Sequence, residues 1–249
     1  MTYRSGGWIN SAAIDRLAEA VVTLDPQPRE RRWVSVSLCI TDAVWSIGAD
    51  YDKVVVPVVR ILAQNMGVEQ PTVPAREPIG ADPLPLTRLI ELTVDELTGL
   101  TNRQRTSTRH GILKSDAVLR HARVFIEHGV VTLADAVELF TDTARLTAVD
   151  TALRSIPGEG AHGVRRNYLW RLVGNDDLIK PDRMVLRWLA HHGVDVDPVA
   201  ARDIIAELVT AVGSRLERDV TAWEIAHAIW DAGRQLGSKS SRRHTERGS

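Results

Sequence analysis

The stretch LRSIPGEGAHGVRRNYLWRLVGNDDLIKPDRMVLRWL, residues 153 to 189, holds the two features whose residue types and spacing bear most directly on chemistry. The first is a cluster of three glycines, Gly158, Gly160 and Gly163, within six residues and directly ahead of a helical pattern. Pro157 stiffens the turn, while the glycines permit positive φ and let the backbone approach a neighbour closely. A helix starting at Gly163 or Val164 presents unpaired amides and the positive end of its dipole, which suits an anion such as a phosphodiester. The same composition also makes a tight interhelical turn with no ligand. The second feature is Asp182, a lone acid at the foot of the next helical pattern. Asp is a common N-cap, and it is also the residue type a site needs when a fixed negative charge must face a reacting centre.

Other candidates carry charge without such a setting. TNRQRTSTRHGILK packs Arg103, Arg105, Arg109 and Lys114 with several hydroxyls before a helix, a composition that fits phosphate contact or a solvated basic loop. Arg165 and Arg166, one step past the glycine turn, are better placed for phosphate. Asp42 stands in an otherwise apolar helical stretch and needs a partner if buried, so it is expected to line a pocket or to pair with an arginine. His191, His192 and the other histidines lack ligand spacing, and no metal is expected.

The elements that must position these residues read as helices throughout. Patterns of period 3.6 predict helices at 11–23, 33–47, 52–66, 86–99, 112–128, 132–153, 163–173, 183–192, 198–212 and 220–235. Val34 to Leu38 alternates as a strand would, but the length of the apolar run favours a helix. Five of the eleven prolines fall between Pro71 and Pro85, predicting an irregular crossover loop. Thr221 to Glu224 has both partners of a capping box, and Thr132 to Asp135 fits that box less well. The tail after residue 236 has no apolar side chain, and its composition predicts disorder.

Composition narrows the class further. Cys39 is the only cysteine, which excludes an intramolecular disulfide, a four-cysteine iron–sulfur cluster and zinc sites built on cysteine pairs. The balance of 31 basic and 32 acidic side chains counts mildly against a chain that coats nucleic acid nonspecifically, and leaves room for one that binds DNA through a local patch and backbone amides. No apolar run approaches the roughly 18 to 20 residues of a membrane span, and the first residues lack a secretory core, so a cytoplasmic location with no membrane partner is expected; a local DNA-binding patch would make it nucleoid-associated, and a monomer is expected.

Residues 153–189 resemble the helix-hairpin-helix Gly/Pro-Asp motif of the DNA glycosylase superfamily that includes endonuclease III and the 3-methyladenine glycosylases. In that family a Leu-Pro-Gly-Val-Gly hairpin precedes a helix, a short loop and an Asp that begins the next helix. Here Ile156-Pro157-Gly158-Glu159-Gly160 is followed by a helix from Val164 to Val173, a loop from Gly174 to Lys180, and Pro181-Asp182-Arg183. The resemblance extends more weakly over residues 33–235. It implies an all-α, two-lobed fold with a cleft, one lobe formed by residues 1–85 and 190–236 and the other by residues 86–189.

It also implies double-stranded DNA as partner and an extruded nucleotide as substrate. Gly158, Glu159, Gly160, Ala161, His162, Gly163, Val164, Arg165, Arg166, Arg109 and Lys114 would contact DNA, and the hairpin leaves room for a monovalent cation. Asp182 would be the catalytic acid: expelling a base builds positive charge on the deoxyribose, which a fixed carboxylate stabilises while helping to activate water. Bifunctional members carry a nucleophilic lysine just after the hairpin where this chain has His162, so a monofunctional enzyme that leaves an abasic site is implied. The usual polar wedge is replaced by the stretch from Ser46 to Tyr51, making Asp42, Trp45, Ile47, Gly48 and Tyr51 the candidate base pocket or wedge. Trp45, Trp170 and Trp188 read first as core residues, with stacking on the base as their other use. Repair of a damaged base, excision of hypermodified bases from phage DNA, and a non-catalytic DNA-binding module all remain open.

Overall fold

The computed structural model describes residues 11–159, 163–178 and 181–245, with side chains described as far as residue 236. The fold is mostly helical, with a single two-stranded ribbon among the described residues. No helix among them is long and apolar enough to cross a membrane. The chain forms two compact units: one from residues 1–29 and 176–249, the other from residues 30–175. The sequence expectation places the lobe boundaries at 85/86 and 189/190.

The larger unit is built on α2 (Val36–Trp45), all ten residues of which are buried. Around it lie a π-helical turn (Tyr51–Val55) leading into α3 (Val56–Asn65), α4 (Leu86–Leu89), α6 (Lys114–Glu127) and α9 (Val164–Val173). The remaining helices of this unit are α5 (Val94–Leu100), α7 (Leu133–Glu138) and α8 (Thr143–Leu153).

The proline-rich crossover explains why this unit begins so early in the chain. Strand β1 (Arg31–Trp33) pairs antiparallel with β2 (Thr72–Pro74), in register Trp33 to Thr72, so the run expected as one helix from residue 33 starts as a strand. Downstream, Asp82 accepts from Val36 N (3.1 Å), Leu133 N (2.9 Å) and Leu84 N (2.9 Å). One carboxylate thus satisfies orphan amides at the starts of both α2 and α7. Ser35 and Ser37 both donate to Leu84 O, at 2.7 and 2.6 Å. The loop is therefore stitched to α2 and cannot serve as a boundary between units.

Helices expected to be continuous break where new caps arise. Thr93 and Glu96 form a complete capping box that starts α5, dividing the pattern at 86–99. Asp142 caps Arg145 N at 3.0 Å and starts α8 after a 3-10 turn at Leu139–Thr141, dividing the pattern at 132–153. Thr132 to Asp135 forms its capping box fully, as does Thr221 to Glu224 through bonds of 3.3 and 3.2 Å.

The smaller unit packs α1 (Ser11–Val22) on α11 (Pro198–Leu216), and α10 (Arg183–His191) on α12 (Ala222–Thr245). Its core joins Leu17 and Val21 of α1 to Val185 and Leu189 of α10, Ile205 and Leu208 of α11, and Ile225 and Ile229 of α12. Helix α12 continues to Thr245, into the segment whose composition predicted disorder. Beyond Gly237 no proline or glycine intervenes before residue 245, so each residue added extends an existing helix without a new nucleation cost.

Helices α10 and α12 touch backbone to backbone at Gly233, where a Cβ would sit 2.2 Å from Met184 O. Gly233→Ala is therefore expected to destabilise the protein by about 1–3 kcal/mol in urea unfolding, because the helices must separate. In a helix without such a contact the same change stabilises by up to about 1 kcal/mol, and that outcome would contradict the close approach.

Candidate functional site

The glycine turn follows α8 in the larger unit, and its described part is built largely from inward-facing charge. Gly158 has φ +96°, and a Cβ there would lie 2.4 Å from the Thr106 hydroxyl oxygen, so only glycine fits. Thr106 in turn donates to Pro157 O at 3.0 Å, clamping the turn to the basic loop. Gly163 has φ +62° and N-caps α9 with no side-chain capping bond. Val164 is half-buried at the first position of that helix. Gly160, Ala161 and His162 lie outside the described residues.

Three of the expected DNA contacts in this region have other partners. Glu159, only 6% exposed, meets Arg166 Nη1 at 3.2 Å, His121 Nε2 at 3.1 Å and Arg165 Nη1 at 3.5 Å. Arg166 also pairs with Asp150 Oδ1 at 3.0 Å, and Arg165 donates from Nη2 to Gly158 O. Burial pulls the Arg165 guanidinium down to about 10, with Glu159 acting in the opposite direction. Arg165 and Arg166 are thus internal struts of the turn, because the buried Glu159 carboxylate demands cations beside it. Of the basic loop, Arg103, Arg105 and Arg109 are all exposed, and Arg105 also donates to Gly111 O at 2.7 Å.

Lys114 departs furthest from expectation, being 1% exposed. Its ammonium donates to Trp45 O (2.9 Å), Ile47 O (2.8 Å) and Gln104 Oε1 (3.0 Å). A buried cation here closes the C-terminal end of α2, where unpaired carbonyls and the negative dipole end favour it. It has no donor left for a phosphate.

The candidate base pocket is likewise internal. Asp42, fully buried, accepts from Trp33 Nε1 (2.8 Å), Tyr51 OH (3.0 Å), Ser46 Oγ (3.0 Å) and Tyr168 OH (3.0 Å). Burial pushes its carboxyl up, and the four donors push back. Its partners are neutral donors instead of the expected arginine or pocket. Tyr51 is anchored there by its hydroxyl, Trp45 is fully buried with Nε1 on Asn102 Oδ1 at 3.2 Å, and Ile47 is half-buried with its carbonyl on Lys114. Gly48, exposed at φ +63°, is the one residue of this set at the surface. Trp170 and Trp188 are buried core residues.

In the smaller unit, Asp182 N-caps α10. Its Oδ1 accepts from Met184 N at 2.8 Å and Val185 N at 3.3 Å. Its Oδ2 accepts from Trp230 Nε1 at 3.0 Å, and the residue is half-buried. A carboxylate offers about four acceptor positions, so one stays open. Trp230 belongs to a ladder on one face of α12. Trp223 and His227 stack at 4.5 Å and 17°, and His227 and Trp230 at 5.9 Å and 15°. Arg29 lies 5.1 Å from the Trp223 ring and Arg234 4.6 Å from the Trp230 ring. The ladder was readable as Trp223, His227, Trp230 and Arg234 at helical spacing, but its contact with Asp182 was not.

Comparison with known protein families shows that the model of a domain of unknown function, DUF8548, matches residues 12–234. The chain belongs to the DUF8548 family. The match spans both compact units, the glycine turn and Asp182. A search of curated proteins returned no match. Among the described residues of this DUF8548 member, no group of three or more His, Cys, Asp or Glu side chains is placed to hold a metal ion.

The Lys114 geometry has a measurable consequence. Burial first, and then Arg165, bring its ammonium down to about 8, below the ordinary lysine value. In the unfolded chain the amine binds its proton more tightly, so the group's contribution to stability rises as pH climbs from about 8 toward the ordinary value. Lys114→Met is expected to cost about 2–4 kcal/mol near neutrality by stranding buried carbonyls. The stability gap from the native protein is expected to widen in urea titrations between pH 8 and 10, and a gap independent of pH would contradict the assignment.

Proposed function

We propose that this protein is a monofunctional DNA N-glycosylase, which takes a base from duplex DNA and hydrolyses its glycosidic bond to leave an abasic site. The observation that carries this reading is the setting of Asp182: a half-buried carboxylate fixed by two backbone amides and an indole, with an acceptor position left open. It follows a glycine turn and a helix in the order that the Gly/Pro-Asp glycosylases use. Such a carboxylate stabilises the positive charge on deoxyribose as the bond from C1′ to the base breaks. The base departs with the bonding electron pair, water adds its oxygen to C1′, and a proton leaves that water with the carboxylate's help.

The inward-facing Arg165, Arg166 and Lys114 refine how DNA would be held. Phosphate binding falls to backbone amides at the start of α9 and to the exposed Arg103 and Arg109. A non-catalytic DNA-binding module is the second reading, favoured by the structural work Asp182 already performs as N-cap.

Asp182→Asn separates the two readings, because Asn remains a good cap while losing the charge. On duplexes carrying alkylated, deaminated, oxidised or hypermodified bases, the native protein is expected to give alkali-sensitive sites, and the variant to give them at least ~100-fold more slowly. Binding without release by both proteins across the panel favours the module. Strand cleavage without alkali would contradict the monofunctional assignment.

A further inference from the structure

The Trp230 contact to Asp182 brings α12 to the candidate catalytic acid, a part that nothing in the glycosylase motif itself assigns to this helix. Three contacts hold Asp176, Asp182 and Met184 against it. Trp223 N donates to Asp176 O at 2.9 Å, Trp230 Nε1 donates to Asp182 Oδ2 at 3.0 Å, and Gly233 meets Met184 backbone to backbone. Arg29 ties down the near end, with Nη2 at 2.6 Å from Asp176 Oδ1.

We propose that Trp230 is a positioning residue for the Asp182 carboxylate, and that the ring ladder on α12 is the device that aims its indole N–H. This rests on the catalytic role proposed above for Asp182. The N-cap amides engage Oδ1 only, so rotation about the Cβ–Cγ bond is opposed at one oxygen alone and the carboxylate plane keeps part of its freedom. A donor to Oδ2 from a different helix removes that freedom. The donor must itself be held, and a lone half-buried indole has its own torsional freedom. Trp230 lies in the ladder with His227 against one neighbouring position and the Arg234 guanidinium against the other. Trp223, itself beside Arg29, backs His227. Aromatic contact and cation–π attraction at both ends of the column fix the ring planes, and hence the direction of the N–H. The rings lie against one another, which fits an aiming device better than a platform for incoming bases.

The test compares the full-length native protein with Trp230→Phe, His227→Ala and Asp182→Asn. Phe keeps a six-membered aromatic ring in the ladder and removes the N–H together with the rest of the five-membered ring. In proton–nitrogen spectra, Asp182→Asn is expected to displace the Trp230 indole signal further than any of the other six tryptophan signals. His227→Ala is expected to speed exchange of that indole proton with solvent at least ~10-fold, as the ladder loosens. An unmoved signal, or unchanged exchange, overturns the inference whether or not the protein has glycosylase activity. On a duplex that the native protein processes, Trp230→Phe is expected to lower the single-turnover rate of base release at least ~10-fold, with DNA affinity and unfolding midpoint within about twofold and a few degrees of native. A rate equal to native overturns the positioning role. If the native protein releases no base while the spectroscopic results hold, the contact and its ladder stand and the glycosylase reading alone falls.

Discussion

The Asp182 carboxylate is held from two directions. Asp182 receives backbone amides of its own helix on one oxygen and an indole of α12 on the other, so its placement couples the start of α10 to a helix forty residues later in the chain. That coupling works only because α10 and α12 lie backbone to backbone at Gly233. It also requires the core beneath them to be continuous, through Val185, Leu189, Ile225 and Ile229. A charge fixed in this way costs no reorganisation when positive charge develops beside it, which is the condition for electrostatic catalysis.

The larger unit solves a related problem at α2, a helix too apolar to reach water with its ends. Asp82 supplies the acceptor at its N-terminal end and Lys114 the donors at its C-terminal end, each with the sign the helix dipole favours. Asp42, inside the same helix, is satisfied by four neutral donors gathered from β1, the turn after α2, the π-helical turn and α9. The glycine turn repeats the pattern, with Glu159 drawing Arg165 and Arg166 inward. Charged residues that resemble a binding surface in the sequence are here the means by which buried backbone and carboxyl groups are satisfied.

Much of the fold was legible because helices leave a periodic signature. The boundaries of α1, α6, α9 and α10 lie within a residue or two of the sequence pattern, Gly158 and Gly163 adopt positive φ, and Asp182 caps α10. The breaks within 86–99 and 132–153 were missed because Thr93 and Asp142 act through capping bonds that periodicity does not register. The ribbon of β1 and β2 was missed because its pairing spans about forty residues and one partner carries prolines. The inward turn of Lys114 and Arg166 was invisible for a similar reason: sequence gives the charge, but only tertiary contact gives its partner. Trp230 illustrates the same limit from the opposite side, since its spacing along α12 was plain and its acceptor, forty-eight residues away, was not.

The most direct measurement is a crystal structure of the Asp182→Asn protein bound to duplex DNA that carries a stable abasic-site analogue. In that complex the residue 182 side chain is expected in contact with C1′ of an extruded sugar. A duplex bound through the glycine turn with the sugar remote from residue 182 would contradict it.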